Sequence, residues 1–482
     1  MFNTAKRAFA LVLALVLVFS LAGCSKPVSD GSSVEWEVIE QIEYVDGDGT
    51  SSGDGTTSVG DTTTTSSGST PTTSGDKKPT TLINDNVDYT KYKGRTVKFA
   101  ATIDPKNDES GPVVKKFEEK YGIKIEVIQS DQSNYANQLA GWIAAGTSPD
   151  VARVNGDFPT CMGYLQSLDA AKLDYNEVDF WNKNMFDYST FGGSPYLCDA
   201  KNNIWTEIDI VIYSKSMLKR AGVQYTPEEF DKAGKWTWDT YFEICRMLKK
   251  LDPSTMQGGS FASRENAIHA MGGSLIHYEN GKFVSGVSKR TEEAMVKYTT
   301  AWKEGIIGWT GITDGIVNGT SGIGTSHAWA LKKTGFFQNT TYNTADLGFY
   351  YLPRWDANSD YGNTGMVRGW GIIRGANEPV AAGIFLREYL DVSNYDSAST
   401  FISPEAETFF YRVTSIDYDK WNPYIVYFAY NDGIAGTTFD EHNNAMSGDP
   451  QQVHAAMASI KSCMERAAAN INKFVEQNTG LK

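Results

Sequence analysis

Several residues and patterns are scarce in this chain, and each scarcity excludes something. Cysteine and histidine number five each in 482 residues, and no two cysteines stand in C-x-x-C spacing. A structural zinc site of the usual kind is therefore not expected. Basic residues are outnumbered: 44 Lys and Arg face 58 Asp and Glu, a net charge of −14. With the two leader cations and the net −8 of residues 25–87 set aside, about −8 remains on residues 88–482. Such an acidic body does not suit nucleic acid, whose phosphates demand basic patches. Catalytic patterns are missing too: there is no H-E-x-x-H, no G-x-S-x-G and no G-x-x-x-x-G-K-[ST] phosphate loop. The nearest glycine-rich stretch, Gly315 to Gly324, lacks the lysine and reads as a turn or helix entrance. No cofactor or metal is expected. Paired carboxylates in a cleft would leave glycoside hydrolysis open as a chemistry.

Long hydrophobic runs are almost absent as well. The one that exists follows Lys6 and Arg7, running from Ala8 to Phe19 and on to Leu21-Ala22-Gly23-Cys24. Roughly 15 apolar residues fall short of the about 20 that cross a bilayer as a helix, so this is the plan of a secretory signal peptide, residues 1–23. Small residues leading into Cys24 resemble the bacterial lipobox, which implies a lipid on the Cys24 thiol and cleavage before it. Asp46 to Thr80 is nearly all Gly, Ser, Thr and Asp. It cannot bury enough apolar surface to offset its ordering entropy, and is expected to be a flexible tether reaching roughly 30–35 Å. Residues 24–87 thus form a lipid-anchored N-terminus and linker. Within them, Val34 to Val45 alternates apolar residues and has no evident role.

Residues 88–482 are too many for a single core and suggest two lobes. Val97, Phe99 and Ala101 alternate as in a strand; Val113, Val114, Phe117 and Tyr121 follow at helical spacing behind Ser110; Ile123, Ile125 and Val127 alternate again. Strand, helix and strand in so short a span make a βαβ unit and point to mostly parallel sheets flanked by helices. Tyr135 to Ile143 gives a helical face closed by Gly146, and Val151 to Val154 a third strand. Ile208 to Tyr213, then helices ending near Gly222 and Gly305, repeat the scheme, and Met457 to Val475 traces one stripe of a long C-terminal helix. Cys245 and Cys463 sit in helical apolar patterns; an exported protein leaves a Cys161–Cys198 disulfide open.

The motifs in order resemble those of family 1 extracellular solute-binding proteins, the maltose-binding-like receptors of ABC importers. YANQLAGWIAAGTSPDV (Tyr135–Val151) is similar to that family's characteristic stretch. FEEKYGIKIEV (Phe117–Val127), IVIYSKSMLKRAGV (Ile210–Val223), WTWDTYFEICRMLKKL (Trp236–Leu251), AMGGSLIHYENGKF (Ala270–Phe283), GTSHAWAL (Gly324–Leu331), LGFYYLP (Leu347–Pro353) and Gly371 to Leu390 follow in family order. Each is weak alone; their succession covers the whole body. The resemblance implies an α/β, two-lobed periplasmic-binding-protein-like fold with crossing hinge strands. It assigns 88–210 with about 370–395 to lobe 1, and 211–369 with about 396–482 to lobe 2. It further implies a monomeric, non-enzymatic receptor at the outer face of the membrane that takes a carbohydrate and passes it to ABC permease subunits. A peptide or polyamine receptor, a lipid-anchored polysaccharide hydrolase and an adhesion module are the alternatives.

Site candidates follow from position and chemistry. Ligands of open α/β sheets sit beyond the carboxyl ends of strands. Asp104 and Asn107 follow the first strand in DPKND; Asp157 follows the third in VNGDF, where the resemblance implies hydrogen bonds to sugar hydroxyls. Glu207 precedes the crossing strand, at a position resembling a pocket carboxylate of the family. Sugar rings pack their C–H faces on aromatic faces, and aromatics are 12 % of this chain. Trp329 lies where the family places a stacking ring; Trp370, between glycines in RGWGI, reads as an exposed platform; Trp205, Arg368 and Arg264 come next. The plainer alternative for the acids is a solvated loop, and for the tryptophans the core. His269, His277 and His327 read as surface or satisfied histidines.

Overall fold

A computed structural model describes residues 88–479, apart from 103, 131–134, 155–157, 175–176, 178, 262, 309–310, 336, 338–339, 360–361, 363, 416–444 and 447. Two five-stranded sheets organise it. The first has the order β2-β1-β3-β14-β4, built from β1 (Thr96–Ala101), β2 (Lys124–Gln129), β3 (Val151–Arg153), β4 (Leu165–Gln166) and β14 (Trp370–Ile373). The second has the order β11-β8-β12-β7-β13, from β7 (Asp209–Ser214), β8 (Gly258–Ser260), β11 (Ile307–Gly308), β12 (Ser321–His327) and β13 (Leu347–Tyr350). Two small hairpins, β5 (Thr190–Phe191) with β6 (Ser194–Pro195) and β9 (Ile276–Glu279) with β10 (Lys282–Ser285), complete the strands.

In each sheet two pairings are parallel and two antiparallel. The βαβ unit does give parallel neighbours, β1 against β2 with Val97 opposite Ile125. The expected excess of parallel strands is not met, because β14 re-enters the first sheet, and β7 and β13 pair in the second, against the local strand direction. The chain passes between sheets near Ile208 and Gly365, which bridge each other.

Local chemistry accounts for the elements. β7 reads DIVIYS and is buried along its whole length, so it shows a continuous apolar run instead of alternation. The helix Gly111–Tyr121 starts with Pro112 in its first turn and stops at Gly122, whose φ of 65° needs no Cβ penalty. Ser110 holds the N-cap position without a side-chain cap bond; its hydroxyl instead meets the Tyr389 hydroxyl at 3.4 Å. Asn280 and Gly281, both at positive φ, close the β9–β10 hairpin as a two-residue turn.

Helices Gly111–Tyr121 and Pro379–Tyr389 pack together beside the first sheet. Helix Trp238–Lys249 covers β8 and β12, and Pro404–Thr414 covers β13. The terminal helix Pro450–Thr479 lies on helix Lys289–Lys303 and β10, and also reaches residues 160–163 beside the first sheet. Cys161, Cys198, Cys245 and Cys463 are all buried, and none is joined in a disulfide. The Cys161–Cys198 disulfide is not formed, and Cys198 turns its thiol toward the Trp370 carbonyl at 3.5 Å. Among the described residues no helix is long and apolar enough to cross a membrane. The signal peptide, Cys24 and the linker lie outside the described residues.

Candidate functional site

Where the carboxyl ends of β1 and β3 meet the crossing segment, a small cavity of about 70 Å³ opens. Aromatic rings make one wall. Phe99 and Trp370 stack with centroids 5.4 Å apart, and Tyr389 meets Trp370 edge-on at 5.2 Å. Asp108, Arg153 and Trp205 complete the rim. The polar side is organised by Glu207, whose side chain is 3 % exposed. Its Oε1 accepts from Arg153 at 2.9 Å and from Arg368 at 2.6 Å, and its Oε2 accepts from Trp329 Nε1 at 3.2 Å. Arg153 also donates to the Trp205 carbonyl at 2.8 Å. One carboxylate thus gathers residues from β3, from the segment after β12 and from the return crossing.

The network continues inward. His327 Nδ1 lies 2.6 Å from Asp209 Oδ1 and 3.7 Å from Glu207. Asn266 donates to Asp209, and Thr325 donates to the Asn266 carbonyl oxygen at 2.8 Å. Burial is the largest influence on Glu207 and pushes its carboxyl up, but Arg368, His327 and Arg153 together hold it down at about 2. Burial wins at Asp209, which rises to about 6 against its bonds to His327 and Asn266. His327 is opposed by burial, yet Asp209 and Glu207 keep it above the ordinary histidine value. Burial also raises Asp108 to about 6 and Asp199 to about 7. Arg153 is the member that brings this charge-paired network to the aromatic-lined cavity, 5.9 Å from the Trp370 centroid. Among the described residues no group of three metal-ligating side chains occurs.

The structure brings together Trp205, Glu207, Trp329, Arg368 and Trp370. Trp370 is not the exposed platform its glycine neighbours suggested: it is 3 % exposed, because it lies on β14 under Phe99 and Tyr389 and offers only an edge of the cavity wall. Trp205 already carries a cation on its ring, the Lys332 ammonium, 2.8 Å from the centroid. Asp104 and Asn107 bond each other in an exposed turn at 3.1 Å, and their neighbour Asp108 takes the place on the rim. Arg264 sits instead beside Tyr298 of helix Lys289–Lys303; the residue of its helix that joins the network is Asn266. Asp157 lies outside the described residues. Sequence does not single out Arg153, Asp209 or Asn266, and it reads His327 as a surface or satisfied histidine; the structure shows it buried and paired with Asp209. The signal available was polarity within strands that are otherwise apolar, as in VARV and SHAW.

A profile of bacterial extracellular solute-binding proteins matches residues 108–392, which hold both sheets' central strands and every charged member of this network. The chain belongs to that family. A member of it is a receptor, not an enzyme, and works outside the cytoplasmic membrane. Among solved structures the chain is similar to an extracellular solute-binding protein from Staphylococcus aureus in complex with maltose, at a TM-score of 0.53 and 12 % identity, covering 80 % of this chain and 99 % of that one. It is also similar to the galacto-N-biose/lacto-N-biose I-binding protein of the Bifidobacterium longum ABC transporter, in complex with lacto-N-biose, at 0.52 and 13 %, covering 80 % and 98 %. A third is a sugar transporter from Rhizobium etli in an open conformation, at 0.53 and 14 %, covering 77 % and 98 %. At these identities the likeness is one of fold. No curated protein matches the sequence.

Proposed function

We propose that this member of the family captures a small carbohydrate, held near the membrane by a lipid on Cys24, and delivers it to the permease subunits of an ABC importer. The observation that carries the reading is the make-up of one cavity: the rings of Phe99, Trp370 and Tyr389 together with the Arg153 guanidinium that Glu207 holds in place. Sugar rings need both, an apolar face to cover their C–H bonds and planar polar groups for their hydroxyls. At about 70 Å³ the space lies well below the roughly 300 Å³ of a formed ligand pocket, so a sugar enters only when these walls move apart. The Arg153 and Arg368 cations speak against a polyamine. The three solved neighbours named with sugars support the class. Trp205, Glu207, Trp329, Arg368, Trp370 and, by sequence position, Asp157 are the proposed contacts.

A thermal-shift screen of the purified protein against mono- and disaccharides, polyamines and short peptides tests this. At 100 times its Kd the true ligand adds roughly 2.7 kcal/mol of stability. A response to peptides or polyamines with none to sugars would overturn the carbohydrate assignment while leaving the receptor in place.

A further inference from the structure

Among the described residues, Lys332 is a lysine buried to an unusual degree. It follows β12 and the short turn Ala328–Leu331 on the second-sheet side, and its side chain is wholly buried. Its ammonium lies 2.6 Å from Oε1 of Glu109, which is 2 % exposed and belongs to the loop between β1 and the helix Gly111–Tyr121, on the first-sheet side. The Thr334 hydroxyl donates to the other oxygen of the same carboxylate. Beneath the ammonium lies the Trp205 ring on the rim of the cavity. Nearby, Val113, in the first turn of the helix after Glu109, packs among Ile208, Ile210 and Ile212 of the crossing segment and β7. A buried ion pair thus spans the two sheets beside the ligand cavity, and its lysine sets the outer face of one cavity wall.

We propose that Glu109, Lys332 and Thr334 form a clasp that holds the two lobes closed without a ligand and fixes Trp205 against the cavity. Either partner alone is a buried charge without compensation, which is far worse than the pair. Because Glu109 lies on the first-sheet side and Lys332 on the second, separating the lobes parts the pair and lets water reach both. The clasp therefore sets the balance between closed and open receptor, and through it the apparent affinity, since a ligand that binds the closed form gains from a closed form already populated. The proposal rests on the receptor reading only in taking lobe closure as the working motion.

Small-angle scattering of the full chain without any ligand tests the clasp, so its outcome does not depend on the carbohydrate assignment. The variants are Lys332→Met, Glu109→Gln and the double variant Lys332→Met/Glu109→Leu. Each single variant strands one buried charge or polar group and is expected to lower the closed-to-open ratio by on the order of 100-fold, read as a larger radius of gyration. The double variant replaces the pair by apolar side chains and is expected to return to the wild-type radius. Far-UV circular dichroism establishes that each variant is folded, and 1 M NaCl is expected to leave the wild type compact, because buried pairs are weakly screened. Folded single variants with the wild-type radius would overturn the clasp. So would a double variant as expanded as the singles, since that would make the residues simple packing elements.

Discussion

Replacing Glu207 by Gln isolates the centre of the charge-paired network. The substitution keeps the shape and one accepting oxygen but removes the charge that Arg153 and Arg368 share at 2.9 and 2.6 Å. The magnitude can be worked in two ways. Bringing the carboxyl from its ordinary 4.5 to about 2 corresponds to about 3 kcal/mol at 1.36 kcal/mol per pH unit. Breaking one partner out of a buried ion pair costs about 3–5 kcal/mol, with the lower end appropriate here because the arginine side chains keep 18 % and 16 % exposure. The two agree near 3.

The pH dependence separates this charge from mere packing. Glu207 has a depressed folded value, so its contribution is complete above pH 4.5 and is lost as pH falls through 2. The gap between wild type and Glu207→Gln, measured by urea unfolding, is expected to be about 3 kcal/mol at pH 7, with more than half of it gone at pH 3. A gap below about 1 kcal/mol at pH 7, or one that stays constant down to pH 3, refutes the reasoning: the guanidiniums would then owe their positions to something other than this carboxylate.

Four further outcomes are expected. His327 is held charged by Asp209 and Glu207 against its burial, so its contribution is complete below pH 6.5 and fades as pH rises through its raised folded value; urea unfolding of His327→Gln should show a larger deficit at pH 6 than at pH 9. Trp370→Ala should lower stability by about 3–5 kcal/mol in thermal or urea unfolding, since it empties a stacked core position. Trp329→Ala, only half-buried, should instead show its effect in ligand calorimetry, as a loss of roughly tenfold or more at 1.4 kcal/mol per decade. Finally, Cys24→Ala should appear in the medium instead of the membrane fraction, and retention at the wild-type level would count against the anchor.

The elements that could be read from sequence are those whose signal is local. The alternation of Val97, Phe99 and Ala101, the helical spacing from Val113 to Tyr121 and the stop at Gly122 each follow from side-chain periodicity and one residue's backbone freedom, and they stand where they were expected. Strand direction was not legible in the same way. β14 pairs antiparallel to β3 across more than two hundred residues of chain, and nothing in WGII states which neighbour or which sense it will take. The word order of the segment RGWGI misled for a related reason. Glycines beside Trp370 suggest an exposed ring, whereas the Gly369 and Gly371 Cα atoms lie close against Cys198, Leu197, Leu165 and Tyr196, where any Cβ would meet those residues at 2.5–3.3 Å. The missing side chains let β14 sit deep in the first lobe, and the ring follows it inward.

The site divides along the same line. Glu207 and Trp329 stand out through their resemblance to family pocket positions, and Arg368 through its place at the return crossing. What sequence could not supply is which charges pair. Arg153 and Lys332 are each one polar residue in an apolar neighbourhood, and from sequence such a residue reads equally well as a snorkelling surface cation. Only when β3 is laid beside β14, and the turn after β12 beside the loop after β1, do their partners Glu207 and Glu109 appear, 54 and 223 residues away. Those two carboxylates decide what their cations can do. A guanidinium tied to Glu207 at the cavity rim presents its remaining donors in a fixed direction and is preorganised for a solute's oxygens. The Lys332 ammonium is spent on Glu109 and the Trp205 ring, and serves closure instead of contact.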